Sequence, residues 1–195
     1  VKSPAAANES GTRSRTRRAI LDSAVTLLAH NRRATLAEIA EAAEVGRSTL
    51  HRYFSDREEL IGSVVEDSMR QMIEAHEGAE LDQGPTLEAM RRLIAAMVEL
   101  GDQIQFLFAD PQVLEGRETP ADWADDKGMT TFIRKGQQEG VFDPEVSPEW
   151  IQNVMWAVVY TGIEMANQGA LARHQVTPTV IRTFENGVRV RQPRS

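Results

Sequence analysis

Cysteine is absent from the 195-residue chain. Disulfides and thiolate chemistry are thereby excluded, and the expected setting is a reducing cytoplasm. Long apolar runs are lacking too: none approaches the ~20 residues that a membrane span requires. The opening VKSPAAANES is polar and has no apolar core of the kind a secretory signal carries, so residues 1–12 read as a flexible tail. Strand-like alternation is missing, and so is any internal repeat. Histidine is scarce, at positions 30, 51, 76 and 174, and no two stand three or four residues apart. His76 neighbours Glu77 and Glu80, a grouping that a solvated helix end accounts for. There is no glycine-rich phosphate loop, and the carboxylates follow no acid–base spacing. These gaps point to a protein that is not an enzyme and has no metal site or cofactor. A helical enzyme with an aromatic-lined pocket is the alternative they leave weakest.

What is present suits a folded chain with a substantial core: hydrophobic residues make up 41% and charged residues 26%. The formal net charge of −7 is unevenly spread. Residues 1–60 hold ten Lys/Arg against eight Asp/Glu, leaving +2 at the front and −9 behind. In the first twenty residues Lys2, Arg13, Arg15, Arg17 and Arg18 face Glu9 alone. A basic front and an acidic rear suggest two tasks, one of them facing a polyanion. A charge imbalance that merely aids solubility gives the same totals.

The chain reads as all-α. Ile20, Ala24, Leu27 and Leu28 repeat as one buried helix face does. TLAE at 35–38 and SDRE at 55–58 have the form of capping boxes. Thr119-Pro120, Ser147-Pro148 and Thr177-Pro178 each pair a capping side chain with proline at the first helical position. Gly84-Pro85-Thr86 marks another break and start. Helices are expected at about 15–30, 36–43, 47–54, 56–78, 86–108, 120–138, 148–168 and 178–188, with DPQVLEGRET at 110–119 a loop or short helix. The first three are short and the later ones long. The division follows: a tail at 1–12, a helix-turn-helix domain at 13–57 and a helical bundle at 58–190.

The stretch AEVGRSTLHRYF, residues 43–54, carries the most information. At 100° per residue, Arg47, Ser48, His51 and Arg52 share one arc of about 140°. Leu50 and Phe54 fall outside this arc, as do Thr49 and Tyr53. Any solvated amphipathic helix divides this way. Here, though, the polar face has no acid, and Arg47 and Arg52 can each donate two hydrogen bonds to guanine O6 and N7. Ser48, Thr49, His51 and Tyr53 can bond phosphates or base edges.

ILDSAVTLL at 20–28 and TLAEIAEAAEVGRSTLHRYFSDREEL at 35–60 together resemble the DNA-binding domain of TetR-family transcriptional regulators. GQQEGVFDPEVSPEW at 136–150 is similar to the turn before that family's eighth helix. The resemblance implies that Arg47, Ser48, Thr49, His51 and Arg52 enter the major groove. It implies that Thr35 caps the second helix and can hold a phosphate, and that Tyr53 and Arg57 bind backbone phosphate. Tyr53 also fits a core aromatic, and Arg57 a surface charge paired with Glu58 or Glu59. Arg13, Arg15 and Arg17 would form a basic arm ahead of the first helix. Three positions depart from the family's usual residues: Glu44 stands for Gly, Gly46 for Ser and His51 for Tyr. Glu44 puts a β-carbon where the turn needs positive φ, at a cost of roughly 1–2 kcal/mol. The link HNRRA at 30–34 has no glycine, which makes Asn31 the candidate for a left-handed cap.

Behind position 58 the resemblance implies a pocket for a small inducer, and the Met and aromatic side chains there suit an adaptable apolar cavity. The expected lining is Met97, Phe106, Phe108, Trp123, Phe132, Met155, Trp156 and Tyr160; each is also a plausible core residue. The family's last two long helices form a homodimer interface, for which Trp150, Val154, Val158, Val180, Ile181 and Phe184 are candidates. The expected function is a cytoplasmic, homodimeric repressor that binds a double-stranded DNA operator and is released by a small apolar or aromatic ligand. A DNA-binding regulator whose rear domain binds a protein partner, or nothing, is the alternative.

Overall fold

A computed structural model describes residues 4–108, Leu114 and residues 127–189; the side chains of 4–10 and of Lys127 lie outside the description. The described residues form nine helices and no strand. Numbered in chain order, these are α1 (Pro4–His30), α2 (Leu36–Ala42), α3 (Arg47–Tyr53), α4 (Arg57–Gly78), α5 (Thr86–Glu99), α6 (Gly101–Phe108), α7 (Lys127–Gln138), α8 (Pro148–Asn167) and α9 (Arg173–Val188). The expected all-α architecture is thus the observed one, a helix-turn-helix front followed by a larger bundle, although α1, expected to be short, has 27 residues and is the longest of the described helices.

The first helix starts at Pro4, well before position 15. Proline at a first helical position followed by Ala5-Ala6-Ala7 favours this extension, because alanine loses no side-chain entropy in a helix. Residues 4–12, expected as a tail, and the arginines expected as an arm are therefore helical. Ile20, Leu21, Ala24, Val25 and Leu28 of α1 are buried against Ile39, Leu50, Phe54 and Leu60.

Three cap assignments are corrected. The cap of α4 is Asp56, whose side chain accepts the Glu59 N–H at 2.9 Å, while the Glu59 carboxylate takes the Ser55 N–H at 2.7 Å. The expected SDRE box is therefore displaced by one residue. Asn31 does not adopt positive φ; its side chain accepts the Arg33 N–H at 3.1 Å and makes the turn that way. Pro178 lies inside α9 rather than at its start. Val176, Val180, Phe184 and Val188 form one buried stripe at four-residue spacing, and burying Val176 favours helix upstream of the proline despite the backbone bond that proline forfeits. Ser147 caps α8 as expected, accepting the Trp150 N–H at 3.1 Å. Thr119-Pro120 and most of 110–119 lie outside the described residues.

The helix expected over 86–108 is two helices. Leu100, at φ −85° and ψ 35°, breaks it, and α6 restarts at Gly101, where an added β-carbon would lie 3.5 Å from Ile163 Cγ2 of α8. The break lets α6 pack against α1, α4 and α8 at once. The front and rear are joined through α1. Arg18 meets Asp67 of α4 at 2.7 Å, Thr26 donates to Asp102 of α6 at 2.7 Å, and Arg32 donates to the Phe106 carbonyl at 2.7 Å.

Candidate nucleic-acid interface

The interface is built from the turn outward. Thr35 accepts the Glu38 N–H at 3.3 Å, and the Glu38 carboxylate reaches back to the Thr35 N–H at 2.6 Å, which completes a capping box. These hydrogen bonds, that of the Thr35 N–H first, hold the Glu38 carboxyl below its ordinary pKa. They also occupy Thr35: both its N–H and its hydroxyl donate to Glu38. The carboxylate sits where a phosphate contact at Thr35 was expected.

Helix α2 ends in a Schellman motif. The Val45 N–H bonds the Ala40 carbonyl at 2.9 Å, and the Glu44 N–H bonds the Glu41 carbonyl at 3.0 Å. Glu44 at the centre has φ 55°, the left-handed conformation that glycine adopts without penalty. The strain expected at this departure from the family pattern is therefore present. Gly46 opens α3 with φ −68° and supplies no side-chain cap.

Helix α3 buries Leu50 and anchors on buried Phe54 just beyond its end. On the opposite side Arg47, Ser48, His51 and Arg52 are exposed, with Thr49 half-buried. Among the described residues, the side chains of Arg47, Ser48 and His51 make no hydrogen bond or ion pair, so their donors are available to a partner. Tyr53 is half-buried beneath two cations: the guanidinium groups of Arg13 and Arg52 each lie 5.9 Å from its ring centre. Arg17 lies 5.5 Å from the Phe54 ring. The N-terminal half of α1 is thus brought beside the end of α3, extending its exposed face with a basic edge. Arg15 points elsewhere, to Thr12 at 3.3 Å. Arg57, like Thr35, has donors engaged inside the domain. Its guanidinium donates to the Ala34 carbonyl and, at 2.6 Å, to the Arg32 carbonyl, tying α4 to the α1–α2 link. Neither Glu58 nor Glu59 pairs with it.

In the rear, Met97, Phe106, Phe132 and Met155 are buried in the core, and Trp123 lies outside the described residues. Phe108 and Trp156 come together, ring centres 5.7 Å apart. Tyr160 follows Trp156 one helical turn on and is half-buried. Phe132 also reaches an open cleft of about 410 Å³ between α4 and α7, rimmed by His76, Glu80 and Lys135. Three polar residues of the α6–α8 region carry no methionine or aromatic signal: Gln105, Gln152 and Glu164. The mark that the two on α8 leave in the sequence is the four-residue spacing Gln152, Trp156, Tyr160, Glu164. Of the residues considered for the dimer face, Val180 and Phe184 are buried in the chain's own core, whereas Trp150 is 60% exposed and Val154, Val158 and Ile181 are half-covered.

A capped helix, a tight turn and a second helix with an exposed, acid-free donor face define a helix-turn-helix DNA-binding regulator. The comparisons agree. The profile of the bacterial regulatory proteins of the tetR family matches residues 20–64. The chain is 35% identical over 180 residues to the HTH-type transcriptional repressor LfrR of Mycolicibacterium smegmatis, covering 92% of this chain and 94% of that one. It is 27% identical over 158 residues to the HTH-type transcriptional regulator NfxB of Pseudomonas aeruginosa, covering 80% and 84%. The crystal structure of LfrR from Mycobacterium smegmatis in complex with proflavine superposes with a TM-score of 0.69 at 33% identity, covering 92% and 99%. The chain belongs to the TetR family of transcriptional regulators.

Proposed function

We propose that this regulator is a homodimeric repressor that leaves its operator when a small aromatic ligand enters the rear bundle. The observation that carries the DNA half is the α3 face: Arg47, Ser48, His51 and Arg52 exposed over buried Leu50 and Phe54. Arg47 and Arg52 read base edges, and Ser48, Thr49 and His51 add contacts to bases or phosphate. Arg13 and Arg17 bring charge to the backbone beside Tyr53, which presents its hydroxyl to phosphate. Arg57 and Thr35 position the reading helix rather than touch DNA, because their donors are used inside the domain.

The ligand half is supported by the likeness to LfrR, which binds proflavine, across nearly the whole chain. Two subunits meet through the exposed strip of α8 and α9 around Trp150, Val154, Val158 and Ile181, and this sets the two α3 helices at the spacing of successive major grooves, about 34 Å. A ligand that favours a wider spacing lowers DNA affinity by its differential binding energy, typically about 1–3 kcal/mol. The lever is α4, clamped at one end by Arg57. At the other, Arg92 donates to the carbonyls of Ala79 and Glu80 at 2.9 and 2.8 Å.

The test is selection of bound duplexes from random DNA by the full-length protein, repeated with proflavine present. The reading expects a two-fold-symmetric consensus that is depleted by the ligand. Recovery of unenriched sequence refutes it.

A further inference from the structure

Helix α6 runs against α8. Gly101 lies beside Ile163, Gln105 donates its Nε2–H to Glu164 Oε2 at 2.5 Å, and Phe108 meets Trp156. Two features of this face are unusual. Gln105 and Gln152 are only 8% and 5% exposed, yet no donor among the described residues reaches their buried amide oxygens. A native interior leaves few such acceptors without a partner, because each forfeits its hydration. Glu164, half-buried, is met by amide donors alone: Gln105 on one oxygen and Gln168 on the other, at 2.5 Å each. Among the described residues no Lys, Arg or His pairs with it.

Trp156, Tyr160 and Glu164 follow one another at four-residue spacing on α8, so the aromatic rings lead up to a carboxylate that no cation pairs with among the described residues. Orphan acceptors and a carboxylate repel anions and gain nothing from a plain hydrocarbon. A flat cation with N–H groups suits the Gln105 end of this face: its charge meets Glu164, an N–H meets the Gln105 amide oxygen, and its rings lie on Trp156 and Phe108, whereas Gln152, about 18 Å along the helix from Glu164, is beyond its reach. We propose that this α6–α8 face is a subsite for a flat aromatic cation carrying N–H donors, with Glu164 as counter-ion and the Gln105 amide oxygen as acceptor. The proposal rests on the ligand-responsive reading above and names the chemistry that reading leaves open.

Proflavine and acridine test it. Both are planar tricycles; at mildly alkaline pH the first is a diamino cation and the second is neutral without N–H. Calorimetric titration of the full-length protein should give proflavine at least about tenfold the affinity of acridine. Glu164→Gln, which keeps size and hydrogen bonding, should remove most of that advantage and leave acridine within about twofold of wild type. Gln105→Leu should weaken proflavine about fivefold, again sparing acridine. Equal affinities in the wild type, no binding of either, or a selectivity unmoved by Glu164→Gln overturns the proposal. So does an equal weakening of both ligands in the variants. Operator binding by the wild type is measured in parallel. If it is intact while the cation preference is absent, the subsite alone fails; if no DNA is bound, the regulatory reading fails whatever the titrations show.

Discussion

Glu44→Gly should stabilise the front domain by about 1 kcal/mol. Glu44 is exposed, has φ 55°, and its side chain makes no hydrogen bond among the described residues. Replacing it therefore changes chiefly the backbone. A β-carbon in the left-handed region costs roughly 1–2 kcal/mol. Glycine gives back part of that, about 0.4–1 kcal/mol, through its greater freedom in the unfolded chain. The difference is close to 1 kcal/mol, or about a fivefold smaller population with the Schellman turn open. Amide hydrogen exchange reads this directly at the Val45 N–H, which bonds the Ala40 carbonyl at 2.9 Å. Urea denaturation at fixed protein concentration reads the same change globally, the fixed concentration being needed because an oligomer's stability follows mass action. Glu44→Ala is the control: it removes the carboxylate and keeps the β-carbon, so it should leave Val45 exchange near wild type. If Ala and Gly slow exchange equally, the effect belongs to the charge and the strain argument is wrong.

Further expectations follow from the same geometry. Gly162→Ala should destabilise the bundle by about 1–3 kcal/mol in urea titration. An added β-carbon there would lie 2.6 Å from Val180 Cγ2 and 3.0 Å from Val176 Cγ1. Changing Arg13, Arg15 and Arg17 together to Ala should lower the slope of log K against log salt by up to about 0.9 for each phosphate left without its arginine. An unchanged slope would remove α1 from the DNA interface. The pKa values of Glu38, Asp56 and Glu59 are all lowered, in each case first by a backbone N–H that bonds the charged form. A lowered carboxyl pKa adds stability above the unfolded-state value, and that stability is lost as pH falls through the folded value. Melting temperature of the front domain should therefore drop on acidification through the carboxylate range. Glu38→Gln should make that drop shallower; an identical profile would show that the cap does not titrate with folding.

Legibility in the sequence followed the range of the interaction. The α2–turn–α3 unit was readable because its determinants are local: the Thr35–Glu38 box, the apolar pair Leu50 and Phe54, and a glutamate where glycine is usual. Positive φ at Glu44 could be anticipated for that reason. The start of α9 could not, because burial of Val176 against Gly162 of another helix outweighs the proline signal at 178. The break at Leu100 likewise depends on the close approach of Gly101 to Ile163. Arg57, a phosphate ligand by resemblance with a paired surface charge as the alternative, has its guanidinium on carbonyls more than twenty residues upstream, partners that no local pattern marks. In the rear, apolar content marked a bundle but did not separate core from cavity. Val180 and Phe184 lie in the core, while the polar line of α8 is visible only once α6 is laid beside it.

The most direct measurement of the central claim is the affinity of the full-length protein for its selected duplex and for a scrambled duplex of equal length, at physiological salt, with Arg47→Ala and Arg52→Ala beside the wild type. The account predicts that the wild type prefers the selected duplex by about a thousandfold or more. It predicts that each substitution costs about 1–3 kcal/mol on that duplex while binding to the scrambled one changes far less. Equal affinity for the two duplexes, or variants that bind the selected one as tightly as the wild type, would contradict it.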